Sequence, residues 1–275
     1  MHKHVSNKGE IEMRGKGFKR LRKEGNQAQK TIEQERAMIL KDTTGFHIVE
    51  AYKATRTNIM FSLANTKCKK IMVTSPLLKE GKSTTTINLA ISFAQTGAKV
   101  LVIDCDLRKP TIHRKLGISS PRGLSHVISG LAPLDGEDVI QKEIYPNLDV
   151  ITSGHIPPNP AELLGSVDMA EVVCKLEERY EYIFFDTPPI NIVTDASALI
   201  PWVSGCVIVV RQGQTQQREL KDAVAKLNFI GTKILGVVLT GAKGREGKRK
   251  YGKYSKYGEY SEYTTRVENQ EEVTI

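Results

Sequence analysis

The chain has 275 residues and a mass of 30.6 kDa, enough for one large domain with a substantial core. Hydrophobic residues make up 40% and charged residues 26%, so most of the chain is expected to fold, and no apolar run approaches the roughly 20 residues that cross a bilayer. The opening MHKHVSNKGE lacks the apolar centre of a signal peptide, and Cys68, Cys105, Cys174 and Cys206 form no Cys-x-x-Cys pair, so a reducing compartment is expected, without a disulfide scaffold or structural zinc.

The net charge of +9 is unevenly spread. Residues 1–41 carry eleven basic against five acidic side chains, residues 42–241 carry 21 against 20, and residues 243–256 carry seven against one. A nearly neutral middle thus lies between two basic ends, and such ends suit an anionic partner or surface.

In chain order, residues 1–41 are polar and aperiodic, which reads as a basic, largely flexible segment with a helix after about Asn26. Thr43 to Leu63 follows a helical period, with Ile48, Val49, Tyr52, Ile59, Met60 and Leu63 near one side. From Lys69 onward short apolar β runs alternate with helical stretches. The runs are Ile71–Ser75, Val100–Ile103, Leu148–Thr152, Tyr182–Phe185, Cys206–Val210 and Ile234–Leu239. The helical stretches include Ser83–Gln95, Pro160–Tyr180 in two pieces, and Gln216–Ile230. Strands this apolar are buried on both faces, so residues 42–241 are expected to form an α/β domain: a doubly wound, mainly parallel sheet flanked by helices. Residues 242–275 are expected to be a disordered, tyrosine-rich tail.

The first strand runs into a loop and then Gly81-Lys82-Ser83 at the head of a helix. Backbone N–H groups and a helix N-terminus supply fixed positive charge to phosphate, which is the logic of a P-loop. Lys79, Glu80, Gly81, Lys82, Ser83 and Thr84 are therefore the candidate nucleotide-binding residues, although Pro76 stands where the general pattern has glycine. Asp104 and Asp106 follow the second strand, and Asp186 follows the run Tyr182–Phe185. In open α/β sheets ligands bind beyond the carboxyl ends of strands, so these acids and the loop converge on a metal and phosphate site. The six histidines show no ligand spacing.

The Gly-Lys-Ser loop, Val-Ile-Asp104-x-Asp106-x-Arg108-Lys-Pro and Phe-Phe-Asp186-Thr-Pro-Pro together resemble the bacterial tyrosine kinases of capsular and exopolysaccharide synthesis, short cytoplasmic type, within the P-loop ATPase superfamily. Gly123–Gly130, Pro157–Ser166 and the terminal tyrosines are similar too. The resemblance implies an ATP-dependent, Mg2+-dependent protein-tyrosine kinase. It implies Lys82 on the β- and γ-phosphates, Ser83, Asp106 and Asp186 as metal contacts, and proton acceptance shared between Asp104 and Asp106, with Asp104 favoured as base. It further implies a ring-like homo-oligomer held through Glu50, Lys53 and Arg56, a membrane-embedded activator of the chain-length-determinant kind, and a cytoplasmic location at the inner face of the plasma membrane through that partner, without nucleic acid. Leu78-Lys79 replaces the family's Pro-Gly, and Thr240 stands where the family has Asn.

Tyr251, Tyr254, Tyr257, Tyr260 and Tyr263 recur every third residue, a spacing that makes no compact stripe on a helix or strand. Their phenols are expected to be phosphate acceptors in trans, and Lys82→Met is expected to abolish this while leaving the fold intact. A competing function is a partition- or division-site ATPase, an ATP-switched binding protein. Those proteins carry a second loop lysine in Lys-Gly-Gly-x-Gly-Lys where this chain has Leu77, and they lack a tyrosine tail.

Overall fold

The structure, a computed structural model, describes residues 29–63, 68–136 and 138–242. The folded unit that carries the motifs ends at Thr240. The tail tyrosines, Tyr251 to Tyr263, lie outside the described residues.

Among the described residues seven strands form one sheet in the order β3-β4-β2-β5-β1-β6-β7. They are β1 (Lys69–Thr74), β2 (Val100–Asp104), β3 (Ile140–Tyr145), β4 (Leu148–Ile151), β5 (Tyr182–Asp186), β6 (Gly205–Arg211) and β7 (Ile234–Thr240). Six match the apolar runs of the sequence within about two residues at each end. Five neighbouring pairs are parallel, and β3 pairs antiparallel with β4 at the edge. The sequence reading misses β3, because an edge strand of Ile-Gln-Lys-Glu-Ile-Tyr shows water most of its length and has no apolar run. A register shift between Gln141 and Tyr145 interrupts its pairing further.

Alternate side chains of each central strand enter opposite cores, as the two-residue pleat requires. Ile71, Val73, Val100, Val102, Phe184, Val207 and Val209 face one cluster, together with Phe93 and Ile87. Met72, Leu101, Ile103, Ile183, Phe185, Cys206 and Ile208 face the other. Helices cover both faces. α1 (residues 29–37), α2 (Phe46–Ser62) and α3 (Lys82–Ala94) lead the chain. α4 (Ile112–Leu116), α5 (Leu124–Ile128), α6 (Pro160–Leu164), α7 (Val167–Glu177), α8 (Asp195–Ala198) and α9 (Gln217–Phe229) follow.

Two sequence expectations need correction. The folded domain begins before residue 42: Ile39 and Leu40 are buried in the core, Leu40 N donates to Asn88 Oδ1 at 2.9 Å, and Glu35 receives a two-bonded fork from Arg114. Composition hides this because the anchoring contacts are few and the surrounding residues polar. On α2, Ile59 is buried and Val49 and Tyr52 pack on the core, but Ile48 and Met60 are exposed. A 3.6-residue period allows a broad stripe, and only packing decides which edge of it is covered.

Candidate active site

The loop between β1 and α3 turns through Gly81, whose φ of 93° is in the left-handed region that glycine enters freely. Lys79 takes a φ of 62°, so the residue that replaces the family's glycine still adopts the conformation a glycine would favour. Four side chains hold this loop. Glu80 is fully buried, and its carboxylate accepts from Leu77 N at 2.7 Å and from the Thr215 hydroxyl. Gln214 Nε2 donates to Leu78 O at 2.8 Å. Thr240 Oγ1 donates to Glu80 O at 2.6 Å, and its side chain stands 3.5 Å from where a Cβ on Gly81 would lie. The ends of β6 and β7 therefore clamp the P-loop, and Thr240 spends its hydroxyl on the backbone of that loop.

α3 opens with Lys82 and Ser83, both buried. Lys82 Nζ lies 2.8 Å from Asp106 Oδ2 and 3.9 Å from Asp186 Oδ1. Asp104 and Asp186 are register partners on β2 and β5, so parallel pairing itself delivers two carboxylates side by side. Asp104 accepts from three backbone N–H groups: Asp106 at 3.2 Å, Thr111 at 3.2 Å and Ile112 at 3.1 Å. Asp106 uses one oxygen for Lys82 and the other for Lys109 N at 3.0 Å. Asp186 Oδ1 accepts from Thr86 Oγ1 at 3.2 Å.

The electrostatics follow from burial. Asp104 is pushed up to about 8, first by burial and then by the Asp186 charge, with Lys82 pulling the other way. Burial likewise raises Asp186, opposed first by the Lys82 charge and then by the nearby hydroxyls of Ser83 and Thr86, of which Thr86 makes the hydrogen bond. Burial pulls Lys82 down, but Asp186 and then Asp106 outweigh it and leave the ammonium above its ordinary value. Asp186 Oδ2 is buried without a hydrogen-bond partner. An orphaned carboxylate oxygen beside a hydroxyl and a lysine at a strand end fits a divalent cation with a polyphosphate, since Mg2+ takes one or two carboxylates and fills its other positions with phosphate and water.

The structure thus gathers Lys82, Ser83, Asp104, Asp106 and Asp186, and seats Glu80 beneath the loop. The expected oligomerisation residues sit elsewhere, on α2. Glu50 and Lys53 pair with each other at 2.9 Å on an exposed face. Arg56 turns inward and donates to Ser92 O, a terminal carbonyl of α3. Sequence reasoning missed Asp195, Gln214 and Thr215 as site-supporting residues. Only Asp195 gave a local signal, an acid in the first turn of a helix.

A glycine-gated loop at the helix start with acids at two parallel strand ends defines a nucleotide-binding P-loop ATPase. A family model described as an AAA domain matches residues 79–231. Tyrosine-protein kinase YwqD of Bacillus subtilis is 43% identical over 194 residues, spanning 70% of this chain and 81% of the relative. Putative tyrosine-protein kinase CapB of Staphylococcus aureus is 40% identical, spanning 70% and 83%. Among solved structures, the chimerical protein CapA2B2 superposes with a TM-score of 0.65 at 38% identity, over 69% of this chain and 83% of that one. The kinase domain of the Escherichia coli tyrosine kinase ETK gives 0.68 at 33%, over 73% and 78%.

The chain belongs to the bacterial tyrosine-protein kinase family, as its motifs led us to expect. The partition- or division-site alternative is weaker. The septum site-determining protein MinD of Pyrococcus horikoshii reaches a TM-score of 0.55 at 24% identity, which shows the shared fold alone.

Proposed function

We propose that this chain is an ATP- and Mg2+-dependent kinase that phosphorylates Tyr251, Tyr254, Tyr257, Tyr260 and Tyr263 of a second copy and thereby regulates capsular or exopolysaccharide synthesis and export. The observation that carries this reading is the buried cluster of Lys82, Asp106 and Asp186, in which one ammonium faces two carboxylates at 2.8 and 3.9 Å. That cluster is built to trade its internal ion pairs for a metal–triphosphate.

In this reading Lys82 leaves Asp106 to hold the β- and γ-phosphates, as α3 presents its first N–H groups to the same charge. Ser83, Asp106 and Asp186 hold Mg2+, which when bound neutralises the charge on the transferring phosphoryl group. Asp104 accepts the proton of the attacking phenol. The ionised form is the one that can accept a proton, and the Lys82 charge and the backbone N–H bonds to Asp104 favour that form against burial. Lys79, Glu80, Gly81 and Thr84 complete the loop around the nucleotide. The phenol oxygen attacks the γ-phosphorus, the bond to the β–γ bridging oxygen breaks, and ADP leaves.

Residues 243–256 carry a surplus of six positive charges, and each phosphate adds about −1.5 to −2. A few transfers invert the tail's charge and loosen a ring held by Glu50, Lys53 and Arg56. The activator is a membrane-embedded partner, and it brings the kinase to the inner face of the plasma membrane. One solved relative is itself a chimerical protein, CapA2B2, which supports a kinase completed by a second component.

The test is mass spectrometry of the full chain after incubation with Mg-ATP, with and without the cytoplasmic segment of the membrane partner. Phosphate on the tail tyrosines of a Lys82→Met chain mixed with wild type is the expected result. An unmodified tail in every mixture would overturn the proposal.

A further inference from the structure

Arg108 lies two residues beyond Asp106 and makes a two-bonded fork to Asp195, with Nε to Oδ2 at 2.7 Å and Nη2 to Oδ1 at 3.0 Å. Asp195 is fully buried at the start of α8, whereas the Arg108 side chain keeps 45% of its surface in solvent. The two are 87 residues apart in sequence. The fork joins the loop after β2, which carries Asp106, to α8, which follows β5 and its last residue Asp186.

The geometry around Asp106 shows what this fork controls. One Asp106 oxygen holds Lys82 and the other holds Lys109 N. The orientation of the carboxylate is therefore set by the turn from Asp106 to Lys109, and Arg108 lies inside that turn. The loop is also held by the N–H groups that Asp104 accepts, by Cys105 N donating to Asp186 O at 2.8 Å and by the buried Leu107 side chain. A buried ion pair is weak as a source of stability, because desolvation offsets most of the attraction, and an apolar pair of like volume does as well. A planar guanidinium bound by both prongs, however, fixes position and angle in a way that neither a lysine nor an apolar side chain reproduces.

We infer that Arg108, locked by Asp195, is a positioning residue that holds Asp106 at the angle needed to meet the metal and phosphate. This rests on the site assignment proposed above, with Asp106 in contact with the metal. Asp195 is its anchor and touches no reacting atom.

The experiment compares Arg108→Gln, Arg108→Lys and the double variant Arg108→Gln/Asp195→Asn with wild type, as full chains. Melting temperature is read by circular dichroism. Initial rates of tyrosine phosphorylation are read across ATP concentrations, well below every melting point. Arg108→Gln alone leaves a buried carboxylate unpaired and should melt earlier. The double variant removes that charge and should melt near wild type. Its kcat should stay lower by about 10–100-fold, the usual penalty for losing a partner that orients a metal ligand, with KM for ATP changed less than about threefold. Arg108→Lys should keep its melting temperature and lose several-fold in kcat. If the double variant recovers kcat together with melting temperature, or if KM rises while kcat holds, the inference is wrong. Asp106→Asn is run alongside: if it stays fully active, the site assignment itself fails, whatever Arg108 does.

Discussion

Lys82→Met is the usual way to silence a P-loop, and in this protein it should also weaken the fold. The ammonium is buried within 2.8 Å of Asp106 and 3.9 Å of Asp186, and it also pulls down the raised Asp104. Methionine fills the space but leaves three buried carboxylates facing one another. Breaking a buried pair by removing one partner costs about 3–5 kcal/mol. At roughly 2–4 °C per kcal/mol for a domain of this size, the melting temperature of the nucleotide-free protein at pH 8 should fall by about 6–20 °C.

The pH dependence fixes the cause. The folded Asp104 carboxyl is raised to about 8, and Asp186 is raised as well. In the unfolded chain both titrate near 4, so between about pH 4 and 8 the folded state holds protons that the unfolded state lacks. The contribution of these groups is therefore fully present at acid pH and is lost as pH rises through the folded value. Lys82 opposes both shifts, so the variant should move them higher and steepen the loss. Thermal unfolding of wild type and Lys82→Met, free of Mg2+ and nucleotide, should show a deficit largest near pH 8–9 and shrinking toward pH 5. Adding Asp106→Asn should restore part of the melting temperature at pH 8 and no phosphorylation. A deficit that is flat with pH, or that grows toward acid, would falsify the cluster's electrostatics. This outcome would set a weakened fold against the expectation of an intact one, because Lys82 pairs with acids of its own chain.

Gly123→Ala should unfold or severely destabilise the domain, beyond the usual overpacking range of ~1–3 kcal/mol, since a Cβ there would lie 2.3 Å from Thr152 O and 2.4 Å from Gly154 N; a melting temperature within a few degrees of wild type would contradict the contact. Thr240→Val removes the 2.6 Å bond to Glu80 O, worth about 1 kcal/mol, and calorimetric titration should find nucleotide affinity down about fivefold, whereas unchanged affinity would mean that the end of β7 does not set the loop. Arg56→Ala should lower the melting temperature of dilute protein as well as any self-association, because its guanidinium bonds Ser92 O where α3 ends and the helix dipole is negative; an unchanged melting temperature would leave it a purely intersubunit role.

What the sequence made legible was whatever depends on neighbours in the chain. Six strands announce themselves as apolar runs; in five of them burial on both faces explains this, whereas β7 is apolar although Val237 and Leu239 are exposed, so its expected two-sided burial does not hold. Gly81-Lys82-Ser83 is legible because a left-handed turn, an ammonium and a hydroxyl must follow one another at the helix start. The acids at 104 and 186 are legible one at a time, as residues that end strands. That they meet depends on β2 lying beside β5 in register, a long-range choice that no local pattern encodes. The support of the site was hidden for the same reason. Asp195 is an ordinary first-turn acid until Arg108 reaches it across 87 residues. Thr215 and Thr240 are ordinary ends of strands and turns until they close on Glu80. Arg56 shows a different limit. Helical spacing puts it near Glu50 and Lys53 on α2, but spacing leaves open what each side chain meets. For Arg56 the first thing met is α3 of its own chain, so any contact it makes with a second copy must compete with the carbonyl of Ser92.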